Sequence, residues 1–334
     1  MVVNADGPAE GSSAVGGSSA AEGSSAVGPA EGRSAVGPAE RHSAVGGHSA
    51  AEGSSAAGPA PDPGGFAVLL PVYRNDRPER FEAAFGSVTE AQTRRPAQVI
   101  VVRDGPVDEA LGLVLARVAA RPDVTLVPLV RNYGLAEALN AGLAASDWEV
   151  VARQDADDLS RPDRFALSVP LVASGSVDVV GGALAEFRRV PGDLGAAVRR
   201  YPLAGEAIAR TARLANPMAH PSVVFRRAAV RRVGGYRSFH HLEDYDLWVR
   251  LVQAGARLAN LPEVLVDYRV SDAVYRRRGG TATLRAEWDL QREFARTGFI
   301  TRAQRVRNVV VRGGFELAPL GVRRWALARL FAPA

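Results

Sequence analysis

Three carboxylates, Asp155, Asp157 and Asp158, close an apolar, β-rich run that begins at Val150. Aspartates this close repel one another unless they stay solvated, face basic groups or share a hard cation. Oxygen donors with no cysteine or histidine beside them suit Mg²⁺ or Mn²⁺, ions that proteins commonly hold together with substrate phosphates. An acidic turn leading to Pro162 accounts for the same residues equally well, so spacing alone leaves both readings open.

Other residues could work beside them. Pro71 and Tyr73 end an apolar run with a flat surface suited to a planar base. Asp104 could accept from a base N–H and Gly105 could allow close backbone approach, although Asp-Gly after a strand is commonly just a turn. Gly134 opens a helix directly after a strand, where free N–H groups would point toward an anion such as a diphosphate. Glu243 and Asp244 begin an apolar helix, where acids serve as caps or, if a cleft reaches them, as proton acceptors. His220, in a loop between two prolines, suits a phosphate or metal contact or simple packing. His240 and His241 are adjacent loop residues expected to point apart rather than to share a metal.

Distant positions such as these meet only if the scaffold brings them to one edge. Apolar runs predict strands over 66–72, 99–102, 124–130 and 148–152, alternating with helical spacing over 77–92, 107–120 and 135–145. Such alternation implies a parallel sheet with helices on both faces, and ligands of such sheets bind beyond the carboxyl ends of the strands. That rule sets 71–74, 103–106 and 154–158 along one rim. Beyond Pro162 the pattern loosens to a helix over 164–173, strands over 177–181 and 183–190, and a helix over 205–214. A loop over 216–221 leads into a strand over 222–225. A helix over 243–254, an extended stretch over 258–270 and a helical remainder over 281–333 follow, the last interrupted at Gly313-Gly314 and Pro319.

Composition bounds the rest. There are no cysteines, so disulfides and thiolate metal sites are excluded and packing must hold the fold. Residues 1–65 are nearly all Gly, Ala, Ser, Pro and Glu, with Ser-Ala units at Ser13, Ser19, Ser25, Ser34, Ser43, Ser49 and Ser55. Short repeats of small residues bury too little apolar surface to offset chain entropy, so a disordered tail is expected. The net charge of +5 is uneven: residues 271–334 carry 13 arginines against 5 acids. That extension suits an anionic membrane surface better than nucleic acid, for no nucleic-acid motif accompanies it, and it suits helices packed on the preceding domain equally well. No apolar run is long enough to span a bilayer and the N-terminus lacks a secretory pattern, so a cytoplasmic protein, peripheral on the inner face of the cell membrane, is expected.

Together these residues resemble the family 2 glycosyltransferases with the GT-A fold, over roughly residues 66–270. Pro71-Val-Tyr73 is similar to the end of that family's first strand, Asp104-Gly105 to its nucleotide-contacting turn, and Asn132-x-Gly134 with Asn140 to its third helix. Asp155-Ala-Asp157-Asp158 is similar to its metal and sugar-nucleotide motif. Asn216-Pro-x-x-His220 and Glu243-Asp-Tyr-Asp-Leu-Trp248 are similar to acceptor-side elements of a subgroup that builds bacterial surface polysaccharide. The resemblance implies an α/β, Rossmann-like GT-A domain with a nucleotide-sugar half (66–158), an acceptor half (159–270) and a basic helical extension (271–334). It also implies an inverting, metal-dependent transfer from a nucleoside-diphosphate sugar to a glycan or lipid-linked acceptor. In that reading Asp157 holds Mn²⁺ or Mg²⁺ with Asp155 and Asp158 in support. Pro71, Tyr73, Asp104, Gly134, Asp155 and Asp157 meet the donor. Asp244 is the general base, with Glu243 as second choice. The alternatives are a sugar-phosphate nucleotidyltransferase, whose usual basic Gly-rich loop after the first strand is missing here, and a non-catalytic interaction protein on the same fold.

Overall fold

The computed structural model describes residues 64–194, 197–270 and 281–317. The tail expected over 1–65 lies almost wholly outside the described residues, as does the end of the basic extension.

The βα alternation appears as β1 (Ala67–Tyr73), α1 (Pro78–Val88), β2 (Gln98–Asp104), α2 (Glu109–Ala119), β3 (Val124–Leu129), α3 (Leu135–Ala144) and β4 (Val150–Arg153). After it come β5 (Leu159–Ser160), α4 (Arg164–Ala173), β6 (Val179–Phe187), β7 (Val198–Arg199), α5 (Gly205–Ala212) and a 3-10 turn at His220–Ser222. The remaining elements are β8 (Val224–Arg226), α6 (Arg227–Arg232), α7 (Glu243–Gln253), β9 (Leu258–Arg269), α8 (Thr281–Arg296) and α9 (Arg302–Leu317).

One sheet runs in the order β3-β2-β1-β4-β8-β6-β9-β5, with β7 beside β6. Its first four strands are parallel, as expected for βα units. Beyond β4 the sheet is mixed: β8 is antiparallel to β4 and β6, β6 and β9 run parallel, and β5 is antiparallel to β9. The two-residue strands β5 and β7 and the short helix α6 have no counterpart in the sequence expectation.

Side chains of β1 alternate between two cores, which is why its sequence is apolar throughout. Val68, Leu70 and Val72 pack with Phe81 and Phe85 of α1, Leu115 of α2 and Phe165 of α4. Ala67 and Leu69 face Leu139 and Leu143 of α3 and Trp248 of α7. Pro71 is tolerated in this central strand for a stated reason. Leu69 bonds toward β4, accepting from the Gln154 N–H at 2.9 Å, so Pro71 would also point that way, and β4 has already ended opposite Leu69.

The C-terminal helices pack on the domain. Leu290, Phe294, Phe299 and Ile300 form a third core with Tyr245 and Val249 of α7, and Asn308 donates to the Arg213 carbonyl at 2.7 Å. The break between the two helices is not at Gly313-Gly314, through which α9 continues, but over 297–301. Gly298 has φ +74°, a helix-ending conformation that glycine favours. Thr301 then opens α9 by a reciprocal pair in which the Thr301 N–H donates to Gln304 Oε1 at 2.9 Å and the Gln304 N–H to Thr301 Oγ1 at 3.1 Å.

Candidate active site

A cleft of 930 Å³ opens beyond the carboxyl ends of β1, β2 and β4. Pro71, Tyr73, Asp104, Gly134, Asp155, Asp157 and Glu243 all line it, so residues from both halves meet as expected. Arg77, Arg80, Arg269, His240 and His241 line it too, setting basic side chains around the two aspartates.

The wall from β2 and α3 is built on Asp104, which is paired in register with Tyr73. Its carboxylate accepts from the N–H of Tyr133 at 2.7 Å and from that of Gly134 at 2.9 Å. The loop before α3 therefore hangs from one buried acid. Two expectations change as a result. Gly134 lines the cleft, but its N–H is taken by Asp104 and is not free for an anion. The close approach at Gly105 is made by the chain itself: a Cβ there would lie 2.5 Å from the Asn132 nitrogen, and φ is +88°.

The acidic loop is shaped by Gln154 and Arg164, both completely buried. Gln154 Nε2 donates to the carbonyls of Asp155 and Asp158 at 3.0 and 2.9 Å, folding the loop around its own amide. Arg164 donates to Gln154 Oε1, Ser160 Oγ and the Arg153 carbonyl at 2.6, 2.7 and 2.5 Å. Burial, then the neighbouring Arg153, pushes the Arg164 guanidinium down to about 9. Arg153 in turn is ion-paired to Asp155 from beneath, with side-chain exposures of 2% and 28%. Burial opposes the Arg153 charge, but Asp155 more than offsets this and holds the guanidinium above its ordinary value.

The three aspartates do not act alike. Asp155 and Asp157 are half-buried and face the cleft, whereas Asp158 is completely buried and does not line it. Asp158 Oδ1 accepts from the Arg269 N–H at 2.7 Å, and Oδ2 is buried without a hydrogen-bond partner. Burial, reinforced by the charges of Asp155 and Asp157, pushes the Asp158 carboxyl well above the usual range. Asp158 thus lies under the loop, away from the cleft that Asp155 and Asp157 face. Among the described residues no three Asp, Glu or His side chains converge on one point that could hold a metal. Two cleft-facing carboxylates nevertheless suit a divalent ion that takes its remaining ligands from water and phosphate.

At the opposite wall, Glu243 and Asp244 start α7 and diverge. Glu243 lines the cleft at 8% exposure. Burial, with the adjacent Asp244 charge adding to it, pushes its carboxyl up to about 7. Asp244 turns to Asn216, whose Nδ2 donates to Oδ2 at 2.6 Å, while the Tyr245 N–H donates to Oδ1 at 2.8 Å.

The sequence pattern of Glycosyl transferase family 2 matches residues 67–234. The chain is also 36% identical to the amylovoran biosynthesis glycosyltransferase AmsE of Erwinia amylovora, over 70% of this chain and 88% of that one. The chain belongs to glycosyltransferase family 2. An Escherichia coli relative, UDP-Gal:alpha-D-GlcNAc-diphosphoundecaprenol beta-1,3-galactosyltransferase, is 32% identical over 77% of this chain and 93% of its own. Staphylococcus aureus TarS residues 1–349, in complex with UDP-GlcNAc, shares the fold with a TM-score of 0.54 at 15% identity, over 78% of this chain and 77% of that one. The mannosyltransferase PcManGT of Pyrobaculum calidifontis, in complex with GDP-Man and Mn²⁺, has a TM-score of 0.50 at 23% identity, over 82% and 78%. The fold is GT-A, and the nucleotidyltransferase and non-catalytic alternatives give way to a glycosyltransferase.

Within this glycosyltransferase the histidines divide. His220 is buried between Tyr236 and Trp248, its Nε2 3.1 Å from the Tyr236 hydroxyl, and burial lowers its pKa well below the ordinary value. It packs and does not line the cleft. His240 and His241 do line it, with ring centroids 4.1 Å apart and not pointing apart as the sequence suggested. Three neighbours of the site, Arg153, Arg164 and Arg269, escaped the sequence reading, and Asn216 entered it only as part of a motif. Arg153 carried a signal, being a charge at the end of a strand that is otherwise wholly apolar.

Proposed function

We propose that this glycosyltransferase moves a sugar, with inversion and with the help of a divalent metal, from a nucleoside-diphosphate sugar to a hydroxyl of a glycan or lipid-linked acceptor. The reaction serves cell-surface polysaccharide or glycolipid synthesis at the inner face of the cell membrane, with peripheral contact through the C-terminal helices. One observation carries the reading: Tyr73, Asp104, Asp155, Asp157 and Glu243, drawn from both halves, line a single cleft. The complexes of TarS with UDP-GlcNAc and of PcManGT with GDP-Man and Mn²⁺ support a nucleotide-sugar donor and a metal. The diphosphoundecaprenol-linked substrate of the E. coli relative supports a lipid-linked acceptor.

In this mechanism the base of the donor lies against Tyr73 and Asp104, and Arg77, Arg80 and Arg269 face its phosphates. Asp157, with Asp155 beside it, would hold a Mn²⁺ or Mg²⁺ ion that offsets charge on the departing diphosphate. The acceptor oxygen attacks the anomeric carbon from the face opposite its C–O bond to the diphosphate; that bond breaks with its electron pair leaving on the diphosphate, and the acceptor's proton passes to Asp244. Asn216 fixes the Asp244 carboxylate, as a general base oriented by a third group requires. Glu243 is the second reading for the base, favoured by its place in the cleft wall and a pKa near 7.

Calorimetric titration of nucleoside diphosphates with and without Mn²⁺ tests the donor reading. Binding of one of them, tightened by Mn²⁺, is expected. Failure of every nucleoside diphosphate to bind would overturn it.

A further inference from the structure

We infer that the outward face of the α8–α9 hairpin is a docking surface for an anionic phospholipid bilayer. The inner face of the hairpin is spent on α7, as the third core describes. Its outer face forms a shallow groove of 680 Å³, lined by Trp288, Val306 and Val310 together with Arg292, Arg302 and Arg305. Trp288, Val306 and Val310 are 51%, 65% and 67% exposed, an apolar group that nothing among the described residues covers.

Charge selects the occupant. Glu287 is engaged with Arg312, Glu293 pairs with Arg237 and with Arg296 at the groove's edge, and Asp289 is exposed on α8 beside Trp288, but no acid is among the described residues that line the groove. Arg305 lies over the Trp288 ring, 4.7 Å from its centroid. A half-exposed indole ringed by guanidinium groups and short aliphatic side chains matches the boundary between headgroups and acyl chains, where aromatic rings settle and basic residues meet lipid phosphates. A protein partner would leave several arginines to be desolvated against a face with no partner acid of its own. A bilayer supplies phosphate to all of them at once. The helices need only lie on the surface, for no described helix is long and apolar enough to cross a membrane.

This inference rests on the reading that the enzyme works at a membrane, and it names the surface and the lipid chemistry. The sequence assigns the anionic surface to residues 271–334 as a whole, of which 271–280 and 318–334 lie outside the described residues. The face identified here is formed between those two stretches.

The test is sedimentation of the full chain with vesicles of phosphatidylcholine alone and with added phosphatidylglycerol. The full chain should partition onto the anionic vesicles only, with a salt-sensitive affinity. In Arg292→Gln/Arg302→Gln/Arg305→Gln, partitioning should weaken by roughly a hundredfold, each basic side chain near an anionic surface contributing about fivefold. In Trp288→Phe, the blue shift of tryptophan emission on vesicle addition should shrink while the melting temperature holds. Equal partitioning by the triple-arginine variant would overturn the inference, as would preference for neutral vesicles. A dimer by light scattering, lost in the same variant without any vesicle binding, would assign the face to a second copy instead. Donor turnover measured without vesicles should be the same in all these variants, so loss of the donor reaction and loss of docking are separate results.

Discussion

On the side of the cleft built by β2 and α3, the loop before α3 hangs by two backbone N–H groups from the single carboxylate of Asp104. On the other side, the loop carrying Asp155 and Asp157 rests on buried charge, with Arg153 and Arg164 below it and Asp158 inside it. The first device rests on one carboxylate and two backbone N–H groups 29 and 30 residues further along the chain. The second takes Arg153 out of water against Asp155 and sets Arg164 on neutral acceptors, and it is stable only while those partners remain. The contrast matches what the proposed mechanism asks of each loop: one would shape a wall for an aromatic base, whereas the other must aim two anions outward against their mutual repulsion.

Substitutions can break this comparison at different depths. The largest effect is expected for Asp157→Ala, which should reduce transfer by at least about a thousandfold, the scale of a lost electrostatic contact in a reacting site. Its melting temperature should scarcely move, and chelation should mimic it in the parent enzyme. Asp244→Asn should lose transfer to a similar extent while nucleotide affinity by calorimetry stays within about twofold. Retained turnover in Asp244→Asn, with loss in Glu243→Gln, would move the base to Glu243.

Arg153→Met comes next. Removing the buried cation leaves Asp155 and the acids behind it uncompensated, so unfolding free energy should fall by about 3 kcal/mol, with Arg153→Lys recovering part. A loss below that of Asp104→Asn would erase the distinction between the two loops.

Glu243 tests the same point through pH. Its pKa is raised in the fold, from 4.5 to about 7, so the folded chain binds the extra proton. That contribution is complete below about pH 4.5 and disappears as pH rises through about 7, a swing of about 3 kcal/mol. Denaturant titrations at pH 5 and pH 8.5 should therefore show the Glu243→Gln variant gaining stability relative to the parent at the higher pH. The smallest effect is assigned to Asp104→Asn, which keeps one acceptor and loses the other, at a cost of about 1 kcal/mol. Faster hydrogen exchange confined to the loop before α3 would be its signature.

Legibility in the sequence follows the same division. The βα units could be read because each is long enough to display its period, and the cleft followed from the rule about strand ends. Two-residue strands such as β5 and β7 display no period at all. The hairpin break was misplaced because Gly313-Gly314 is a louder signal than the Thr301-x-x-Gln304 box that governs it. Spacing likewise could not separate Asp158 from its neighbours, since the facing of consecutive carboxylates is decided by Gln154 and Arg164, through bonds that span the loop. Asn216 lay inside a motif already singled out, yet its partner stands 28 residues away, beyond the reach of local pattern.

Arg269 adds a matter of timing. Its N–H and Nε bind Asp158 Oδ1 and the Asp157 carbonyl, the latter 112 residues earlier in the chain. β5, immediately after the acidic loop, finds its sheet partner only in β9. Contacts so distant along the chain close late because the intervening segment must first be ordered. During synthesis the Asp104 wall can therefore be complete while the acidic loop is still unfastened, so the two sides of the cleft are set at different times.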